Sequence, residues 1–132
     1  MHKSYYVKLT KDMGRGMFAD RDITKGETIA YCELLVLSEG DTAVVNTTDL
    51  QYYTFKYNDT QDCLVLGDGE IFNHTEDENV SYKLRVITDS VGTRTLMHFE
   101  AIKDIRKNEQ LFINYSRDVE VKPKQYTVNL VG

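Results

Sequence analysis

The chain has 132 residues, 41% of them hydrophobic and 28% charged, which is typical of a single folded domain over residues 1–132 and excludes a disordered chain. Its 16 basic and 21 acidic residues give a net charge of −5, the wrong sign for direct binding to nucleic acid. No apolar stretch approaches the roughly 20 residues that span a bilayer, and the polar start Met1–Ser4 lacks the apolar core of a signal peptide, so we expect an intracellular protein without a membrane partner.

Short strands dominate the predicted elements, because β-branched residues and tyrosines recur at short spacing and the chain has a single proline. In chain order, the predicted strands are Tyr5–Leu9, Met17–Ala19, Thr28–Leu37, Tyr53–Tyr57, Cys63–Leu66, Val80–Ile87, Arg94–Ile102 and Gln110–Ile113. The polar segment Ser38–Asp49 holds at best one short helix. Turn residues Asp89–Gly92 separate two of the strands and predict an antiparallel hairpin. The fold class is therefore predicted to be mainly β.

One short pattern occurs twice along the chain. Asp22–Ile29 reads Asp-Ile-Thr-Lys-Gly-Glu-Thr-Ile, and Asp104–Leu111 reads Asp-Ile-Arg-Lys-Asn-Glu-Gln-Leu. Gly26 and Asn108 occupy the same place in this echo, and glycine and asparagine are the residues that best tolerate a positive φ. We predict that each residue reverses the chain before a strand.

Both cysteines, Cys32 and Cys63, lie in apolar runs that are predicted to be strands. Buried free thiols are the favoured interpretation, and a disulfide is the alternative. A zinc site would have to recruit His74 or His98 from scattered positions, so the spacing does not support a metal site.

Three further segments combine glycine, polar and aromatic residues, and each has an ordinary structural interpretation by itself. Gly14-Arg15-Gly16 precedes an apolar strand and predicts a turn or, because glycine lacks a Cβ, a place where the backbone approaches a ligand. Asn73-His74 opens a polar, turn-prone run, where both side chains could bond either local backbone or a ligand. Glu109–Tyr115 reads as a strand that ends in a tyrosine, which packing alone would explain.

The order of these segments, a Gly-x-Gly pair, an Asn-His pair and then Glu-x-Leu-x-x-x-Tyr, resembles the SET-domain protein-lysine methyltransferases. The resemblance runs from about Tyr5 to Tyr115 and includes Ile23–Glu27, Tyr53-x-Phe55 and Ala101-Ile102-x-Asp104-Ile105. It implies the SET-type β-clip fold, in which several small curved sheets surround a C-terminal segment threaded beneath a loop as a pseudoknot. That threading would bring Asn73-His74 against Tyr115.

The resemblance also implies S-adenosylmethionine as the cofactor and assigns residues to it. Gly14, Arg15 and Gly16 would approach the cofactor mainly through their backbone. Asn73 and His74 would contact its amino-acid and adenosine parts.

A second set of residues is implied to act on the substrate lysine. Tyr115 would be catalytic and would lie beside both the methyl group of the cofactor and the substrate nitrogen. Tyr53 matches an upstream catalytic tyrosine that lines the lysine channel. Phe55, Tyr57 and Phe112 are candidates for either the channel or the core.

This sequence departs from the family pattern at several positions. After Asn-His the family usually reads Ser-Cys-x-Pro-Asn, whereas this chain reads Thr75-Glu76-Asp77-Glu78-Asn79 and keeps only the final asparagine. Asn108 replaces a glycine, and Gln110 replaces a frequent second acid. The zinc-binding cysteine triad that often covers the cofactor is absent, so the tail, residues 116–132 with Tyr126, is expected to cover it unless a partner subunit in a homodimer does so.

The implied activity is methyl transfer to a lysine of a basic peptide or protein, such as a histone. The net charge would favour such a substrate by long-range attraction, or it could serve solubility alone. The acidic run at residues 76–78 could attract the substrate or be a solvated loop. An inactive SET-like module that binds only cofactor or peptide, and a structural β-domain without a ligand, are the competing interpretations.

The short chain is most like the minimal SET proteins of viruses and bacteria, which would place it in the cytoplasm or, for a virus, in the host nucleus.

Overall fold

The structure, a computed structural model, describes residues 3–115 and the backbone of residues 128–130. These residues fall into two compact units. The first unit holds residues 3–31, 71–82 and 98–115, and the second holds residues 32–70, 83–97 and 128–130. Within these described ranges, none of the helices has both the length and the apolar character that crossing a membrane requires.

Strands make up most of the regular structure, which confirms the predicted mainly β fold class. The strands are β1 (Tyr5–Leu9), β2 (Arg15–Ala19), β3 (Thr28–Cys32), β4 (Leu34–Val36), β5 (Thr54–Lys56), β6 (Asp62–Val65), β7 (Asn73–His74), β8 (Val80–Asp89), β9 (Gly92–Ala101), β10 (Gln110–Ile113) and β11 (Val128–Leu130). The helices are α1 (Glu39–Val45) and two 3₁₀ helices, Asp49–Tyr53 and Gly67–Ile71.

The strands form three small sheets. Their strand orders are β1-β2-β10-β7, β11-β8-β9-β3 and β4-β6-β5. In the first sheet, β2 is antiparallel to both β1 and β10, whereas β7 and β10 run parallel. Strand β10 is thus inserted between two strands that both precede it in the chain. This insertion brings the C-terminal part of the first unit alongside β2 and β7.

Strand β10 and its neighbour β2 separate the core of the first unit from a half-buried outer face. Met17 and Leu111 are fully buried and directly paired across the two strands. Phe18 and Gln110, the next pair along, are only half-buried. Because successive side chains of a strand point to opposite faces, one row fills the core and the other borders a surface.

The predicted hairpin is confirmed. β8 and β9 are neighbours in their sheet, and Asp89 closes the turn between them by accepting hydrogen bonds from the backbone N–H groups of Val91 and Gly92 at 2.9 and 3.3 Å. Gly92 has a φ of 137°, which suits glycine. Arg94 donates to the same carboxylate at 2.7 Å and so ties the turn to the following strand.

Four predicted strands are shifted by one or two residues at their ends, and two others differ for local reasons. The predicted strand Thr28–Leu37 is two strands, because the chain passes from one sheet to another at Glu33. The prediction that Tyr53 begins a strand is wrong. It ends a 3₁₀ helix whose start is capped by Thr48, with Oγ1 accepting from Leu50 N–H at 3.2 Å. The short helix predicted within Ser38–Asp49 is α1, capped by Ser38.

The tail is described only at β11. Its backbone pairs in parallel with Ile87–Asp89 of β8, within the second unit. Residues 116–127, which include Tyr126, and residues 131–132 lie outside the described residues. The predicted cover of the cofactor by residues 116–132 therefore stays a prediction.

The sequence echo forms two equivalent turns that face each other in the first unit. Ile23 and Ile105 are both buried and exchange two backbone hydrogen bonds of 2.7 and 2.8 Å. Gly26 and Asn108 have φ values of 94° and 72°, so the predicted reversals at both positions are confirmed. The favourable burial of two isoleucines holds the turns together.

Each turn of this echo is capped by the aspartate of the other. Asp22 accepts from the backbone N–H of Lys107, and Asp104 accepts from that of Lys25, both at 2.8 Å. The two caps are chemically identical, since a carboxylate satisfies a backbone donor at the same place in each turn. We call this pair of turns the reciprocal turns.

The reciprocal caps make a paired prediction on stability. Replacing Asp22 or Asp104 with alanine removes one carboxylate-to-backbone bond, and each change should lower the free energy of unfolding by about 1 kcal/mol, the usual worth of a lost cap. Chemical denaturation of Asp22→Ala and Asp104→Ala measures both, with exposed Asp20→Ala as the control that should change little. A loss confined to one of the two variants would contradict the equivalence of the turns.

Both cysteines are buried free thiols in the second unit, as predicted. Burial raises the pKa of Cys32 to about 11 and that of Cys63 to about 12. Since the thiolate is the reactive form, both thiols should be inert in the folded protein.

We therefore expect slow modification by a thiol reagent at pH 8. Relative to an unfolded cysteine with a pKa of about 8.5, the raised values should slow labelling of each native thiol by at least about a hundredfold. Timed labelling with a disulfide reagent, followed by peptide mass spectrometry, measures each site, and labelling in guanidinium provides the reference rate. Either thiol reacting at the reference rate in native protein would show that it is not buried in solution.

Candidate functional site

Three neighbouring strands of the first sheet bring together the segments that the sequence singled out. Register pairs Phe112 with Asn73 and Ile113 with His74 between β10 and β7, while β2 lies on the other edge of β10. The chain enters β2 through Gly14-Arg15-Gly16. The glycine pair, the Asn-His pair and the C-terminal strand therefore meet at one place in the first unit.

Gly16 leaves a gap that no other residue could leave. A Cβ at this position would lie 2.9 Å from Cγ2 of Thr10, 3.0 Å from Nδ2 of Asn73 and 3.1 Å from Nε2 of Gln110. These distances are shorter than ordinary van der Waals contacts. We call this space, bounded by Thr10, Asn73 and Gln110, the glycine gap. Two side-chain amides can approach the β2 backbone there only because residue 16 has no side chain.

Gly14 is required for a different reason. Its φ is 68°, and nothing lies within 4 Å of the position that a Cβ would take. Its carbonyl accepts from both the backbone N–H and the hydroxyl of Thr10, at 2.7 and 2.8 Å. Gly14 therefore shapes the turn, whereas Gly16 opens the gap.

Asn73 ties β7 to the glycine segment. Its Nδ2 donates to the backbone carbonyl of Arg15 at 3.0 Å, and the Arg15 side chain is exposed. Only the backbone of Arg15 thus takes part in this arrangement. A carbonyl has two lone pairs, so the Arg15 oxygen keeps capacity for a second donor.

His74 and Tyr115 contact each other directly, as the resemblance implied. The backbone N–H of Tyr115 donates to Nδ1 of His74 at 2.9 Å, and the two ring centroids are 5.0 Å apart. Because Nδ1 accepts this bond, a neutral His74 carries its proton on Nε2. The bond fixes both the tautomer and the orientation of the imidazole.

The Tyr115 side chain is anchored at its tip. Its hydroxyl donates to the backbone carbonyl of Phe72, yet the residue is 54% exposed. Phe72 is buried and stacks on Phe99, with ring centroids 4.5 Å apart, so the accepting carbonyl belongs to a well-packed segment. The phenol is thus held in place while part of it faces outward.

Two residues that the sequence reasoning did not assign to the site hold β10 and its end. Asn79 donates to the carbonyl of Gln110 at 2.9 Å and accepts from Phe112 N–H at 2.8 Å, so its amide replaces a strand partner. Tyr82 donates to the carbonyl of Asn114 at 3.0 Å, directly before Tyr115. Asn79 could have been found from the sequence, because it is the residue that the chain keeps from the family pattern after Asn-His. Nothing in the sequence pointed to Tyr82.

The acidic run at residues 76–78 is not a continuous charged surface. Asp77 forms a 2.5 Å ion pair with Lys103, and this hydrogen bond lowers the pKa of the carboxyl. Glu78 is 8% exposed and so faces inward. Of the three carboxylates, Glu76 is the one that is both exposed and outside this ion pair. The run offers a basic substrate less charge than its sequence suggests.

The residues predicted to form the lysine channel are divided between the two units. Phe112 is half-buried in the first unit, opposite Asn73. The second unit holds Tyr53, which is 55% exposed, and Phe55 and Tyr57, which are half-buried in and after β5. The channel roles of these four residues stay predictions.

Titratable ligands do not converge as a metal centre would require. Among residues 3–115 and 128–130, no three histidine, cysteine, aspartate or glutamate side chains are placed to hold a metal ion. What the site offers instead is backbone carbonyls, amides and aromatic rings. Such groups suit an organic ligand with several hydrogen-bonding groups.

Comparison with known proteins identifies the family. The model of the SET domain matches residues 14–116, most of the chain. A curated relative from Schizosaccharomyces pombe, named histone-lysine N-methyltransferase, H3 lysine-37 specific, is 27% identical over 110 residues, covering 83% of this chain and 71% of the relative.

Solved structures share the fold. A candidate histone methyltransferase from Plasmodium falciparum superposes with a TM-score of 0.66 at 22% identity, covering 89% of this chain and 96% of that one. Polycomb repressive complex 2 of Chaetomium thermophilum, bound to S-adenosylmethionine, gives a TM-score of 0.71 at 23% identity, over 91% of this chain. Our chain spans only 16% of that longer protein.

The two glycines allow a matched prediction. Gly16→Ala should displace the amides that border the glycine gap, lowering the free energy of unfolding by about 1–3 kcal/mol and weakening S-adenosylmethionine binding by about tenfold or more. Gly14→Ala should cost a similar 1–2 kcal/mol, roughly, through its positive φ, with a much smaller effect on binding. Denaturation and titration calorimetry separate the two effects. Equal binding losses in both variants would contradict the assignment of the gap.

Proposed function

We propose that this chain, which belongs to the SET-domain family and is an S-adenosylmethionine-dependent protein-lysine N-methyltransferase, acts on a lysine within a basic peptide or protein segment such as a histone tail. The observation that carries the site assignment is the contact of His74 with Tyr115 beside the glycine gap. Its support comes from three chain segments that are distant in sequence and meet on one sheet. The presence of Asn73, His74 and Tyr115 together favours an active enzyme over an inactive module.

The residues at the glycine gap fit the cofactor. Because Gly16 lacks a Cβ, the amides of Asn73 and Gln110 lie close to the β2 backbone, and together with the Arg15 carbonyl they provide hydrogen-bonding groups. Oε1 of Gln110 is buried without a hydrogen-bond partner among the described residues, so the site has an acceptor to offer. We propose that Arg15, Gly16, Asn73 and His74 hold the cofactor, and that Gly14 takes part by shaping the turn that leads into β2.

S-adenosylmethionine supplies a methyl group bonded to a positively charged sulfur. The substrate must present a neutral amine. Deprotonating a lysine with a pKa of about 10.4 costs about 4.6 kcal/mol of free energy at pH 7. Enclosure by aromatic side chains lowers that cost, because burial disfavours the ammonium form. Phe112, Tyr53, Phe55 and Tyr57 are our candidates for this enclosure.

Tyr115 is best suited to orient the amine. Its proton is committed to the Phe72 carbonyl, so the phenol oxygen presents lone pairs that can accept an N–H of the substrate. This arrangement favours a positioning role for the phenol over removal of the substrate's proton. Alignment of that kind contributes several kcal/mol, roughly, to a displacement reaction.

The proposed preference for a basic substrate rests on the net charge of the chain and on its similarity to a histone-lysine methyltransferase. The chain carries a net charge of −5, which attracts cationic segments over distances of about 10 Å at moderate salt. The relative from Schizosaccharomyces pombe is named for a lysine of histone H3. We extend the proposal to an intracellular protein, in the cytoplasm or a host nucleus, of viral or bacterial origin, that can form a homodimer and has no direct nucleic-acid partner.

The proposed activity predicts labelling of lysine from methyl-labelled S-adenosylmethionine on a panel of basic peptides and histones. Tyr115→Phe should lower kcat about a hundredfold by loosening the alignment of the amine. His74→Ala should weaken cofactor binding, because the imidazole that orients the Tyr115 backbone is lost. The matched control is Tyr52→Phe, which changes an exposed tyrosine outside the site and should leave the rate unchanged.

The same assay discriminates among the competing interpretations. Cofactor binding without transfer to any basic protein would favour the inactive module. Absence of cofactor binding, measured by calorimetry on folded protein, would refute the assignment of the site. Equal rates in wild type and Tyr115→Phe would refute the role of Tyr115 alone.

A further inference from the structure

The side-chain oxygen of Gln110 stands out on the outer face of the first sheet. Oε1 is buried and has no hydrogen-bond partner within the described residues. The great majority of buried polar atoms in folded proteins do have a partner, because an unpaired one forfeits its hydration without compensation. An acceptor held in this way indicates a donor that comes from outside the described residues, and a bound ligand is the donor that we consider.

The amide that carries this acceptor borders the glycine gap through its nitrogen. Nε2 of the same amide lies 3.1 Å from the position that a Gly16 Cβ would occupy, and Nδ2 of Asn73 lies 3.0 Å from it. Asn73 already donates to the Arg15 carbonyl. The gap therefore has two oxygen acceptors near its border, Gln110 Oε1 without a donor and the Arg15 carbonyl with a lone pair to spare.

The chemistry of these acceptors selects the kind of group that fits. Carbonyl and amide oxygens repel an anion and accept from N–H or O–H donors. An ammonium group, with three donors in a tetrahedral arrangement, can use several acceptors at once and forms the stronger, charge-assisted bonds. A planar amino group on an aromatic ring has only two donors and no charge.

We propose that Gln110 Oε1 accepts a hydrogen bond from the α-ammonium group of the cofactor, which makes Gln110 a residue that determines cofactor specificity. This inference rests on the proposed function, because it assumes that the amides bordering the glycine gap face the amino-acid part of S-adenosylmethionine.

The test compares the affinities of three ligands for the full chain by titration calorimetry. The ligands are S-adenosylhomocysteine, its desamino analogue with hydrogen in place of the α-amino group, and S-inosylhomocysteine, which lacks the adenine amino group. The variants are Gln110→Met, similar in shape but without the acceptor, and Gln110→Glu, which keeps an oxygen acceptor.

The wild type should bind S-adenosylhomocysteine about tenfold or more tightly than the desamino analogue, the usual worth of a hydrogen bond to a charged group. Gln110→Met should reduce this preference about fivefold or more, with the Arg15 carbonyl accounting for the remainder, while the preference over S-inosylhomocysteine stays as in wild type. Gln110→Glu should keep or enlarge the preference for the α-amino group, because a carboxylate accepts from an ammonium at least as well. Melting curves confirm that each variant is folded.

Three results would overturn the inference. One is a Gln110→Met variant that weakens S-adenosylhomocysteine and its desamino analogue equally, as a purely structural or solvent-bonded glutamine would. Another is a loss of discrimination against S-inosylhomocysteine instead, which would place the oxygen at the adenine. The third is a Gln110→Glu variant that loses the preference for the α-amino group. This result is sufficient by itself if Gln110→Met does not fold. Failure of wild type to bind S-adenosylhomocysteine at all would refute the proposed function as well, which distinguishes the two failures.

Discussion

Backbone pairing of β10 with β2 on one edge and β7 on the other holds the first unit together. Met17 and Leu111 fill the core through the same strands that carry Gly16 and Gln110 on the opposite face. Because these strands come from distant parts of the chain, the site exists only when a non-local sheet has formed. Asn79, whose side-chain amide bonds to the β10 backbone at Gln110 and Phe112, reinforces that sheet next to the start of the short β7. Stability and function thus depend on the same few hydrogen bonds.

The fold was predictable where a strand carries its own signal. The alternation of side chains predicted the exact bounds of β1 and β10. Glycine and asparagine at equivalent places predicted both chain reversals, at Gly26 and Asn108. β7 was not predicted as a strand, because Asn73-His74 has no periodicity and becomes a strand only by pairing with β10. The break at Glu33 was missed for a similar reason, since Thr28–Leu37 is continuously strand-like and only the choice of sheet divides it.

The site divides in the same way. Asn73, His74 and Tyr115 followed from the order of motifs, and their proximity agrees with the threading that the resemblance implies. The sequence marked Gln110 only as a departure from the family pattern, and its proposed role came from the burial of a single oxygen atom. No sequence pattern reports which amide in a fold is left without a partner. The same holds for Tyr82, an ordinary aromatic residue whose hydroxyl fixes the backbone before Tyr115.

The reciprocal turns bear on how the protein is made by the ribosome. Lys25 receives its cap from Asp104 and Ile23 receives its backbone partners from Ile105, so the early turn has no completed structure of its own. In an emerging chain, the edge of β2 that pairs with β10 therefore has no partner until the region around Gln110 has left the exit tunnel. During that interval the unpaired edge of β2 is available to other strands. Nascent copies of this protein should accordingly be clients of chaperones that shield exposed strand edges, and slow translation beyond residue 82 would prolong that need.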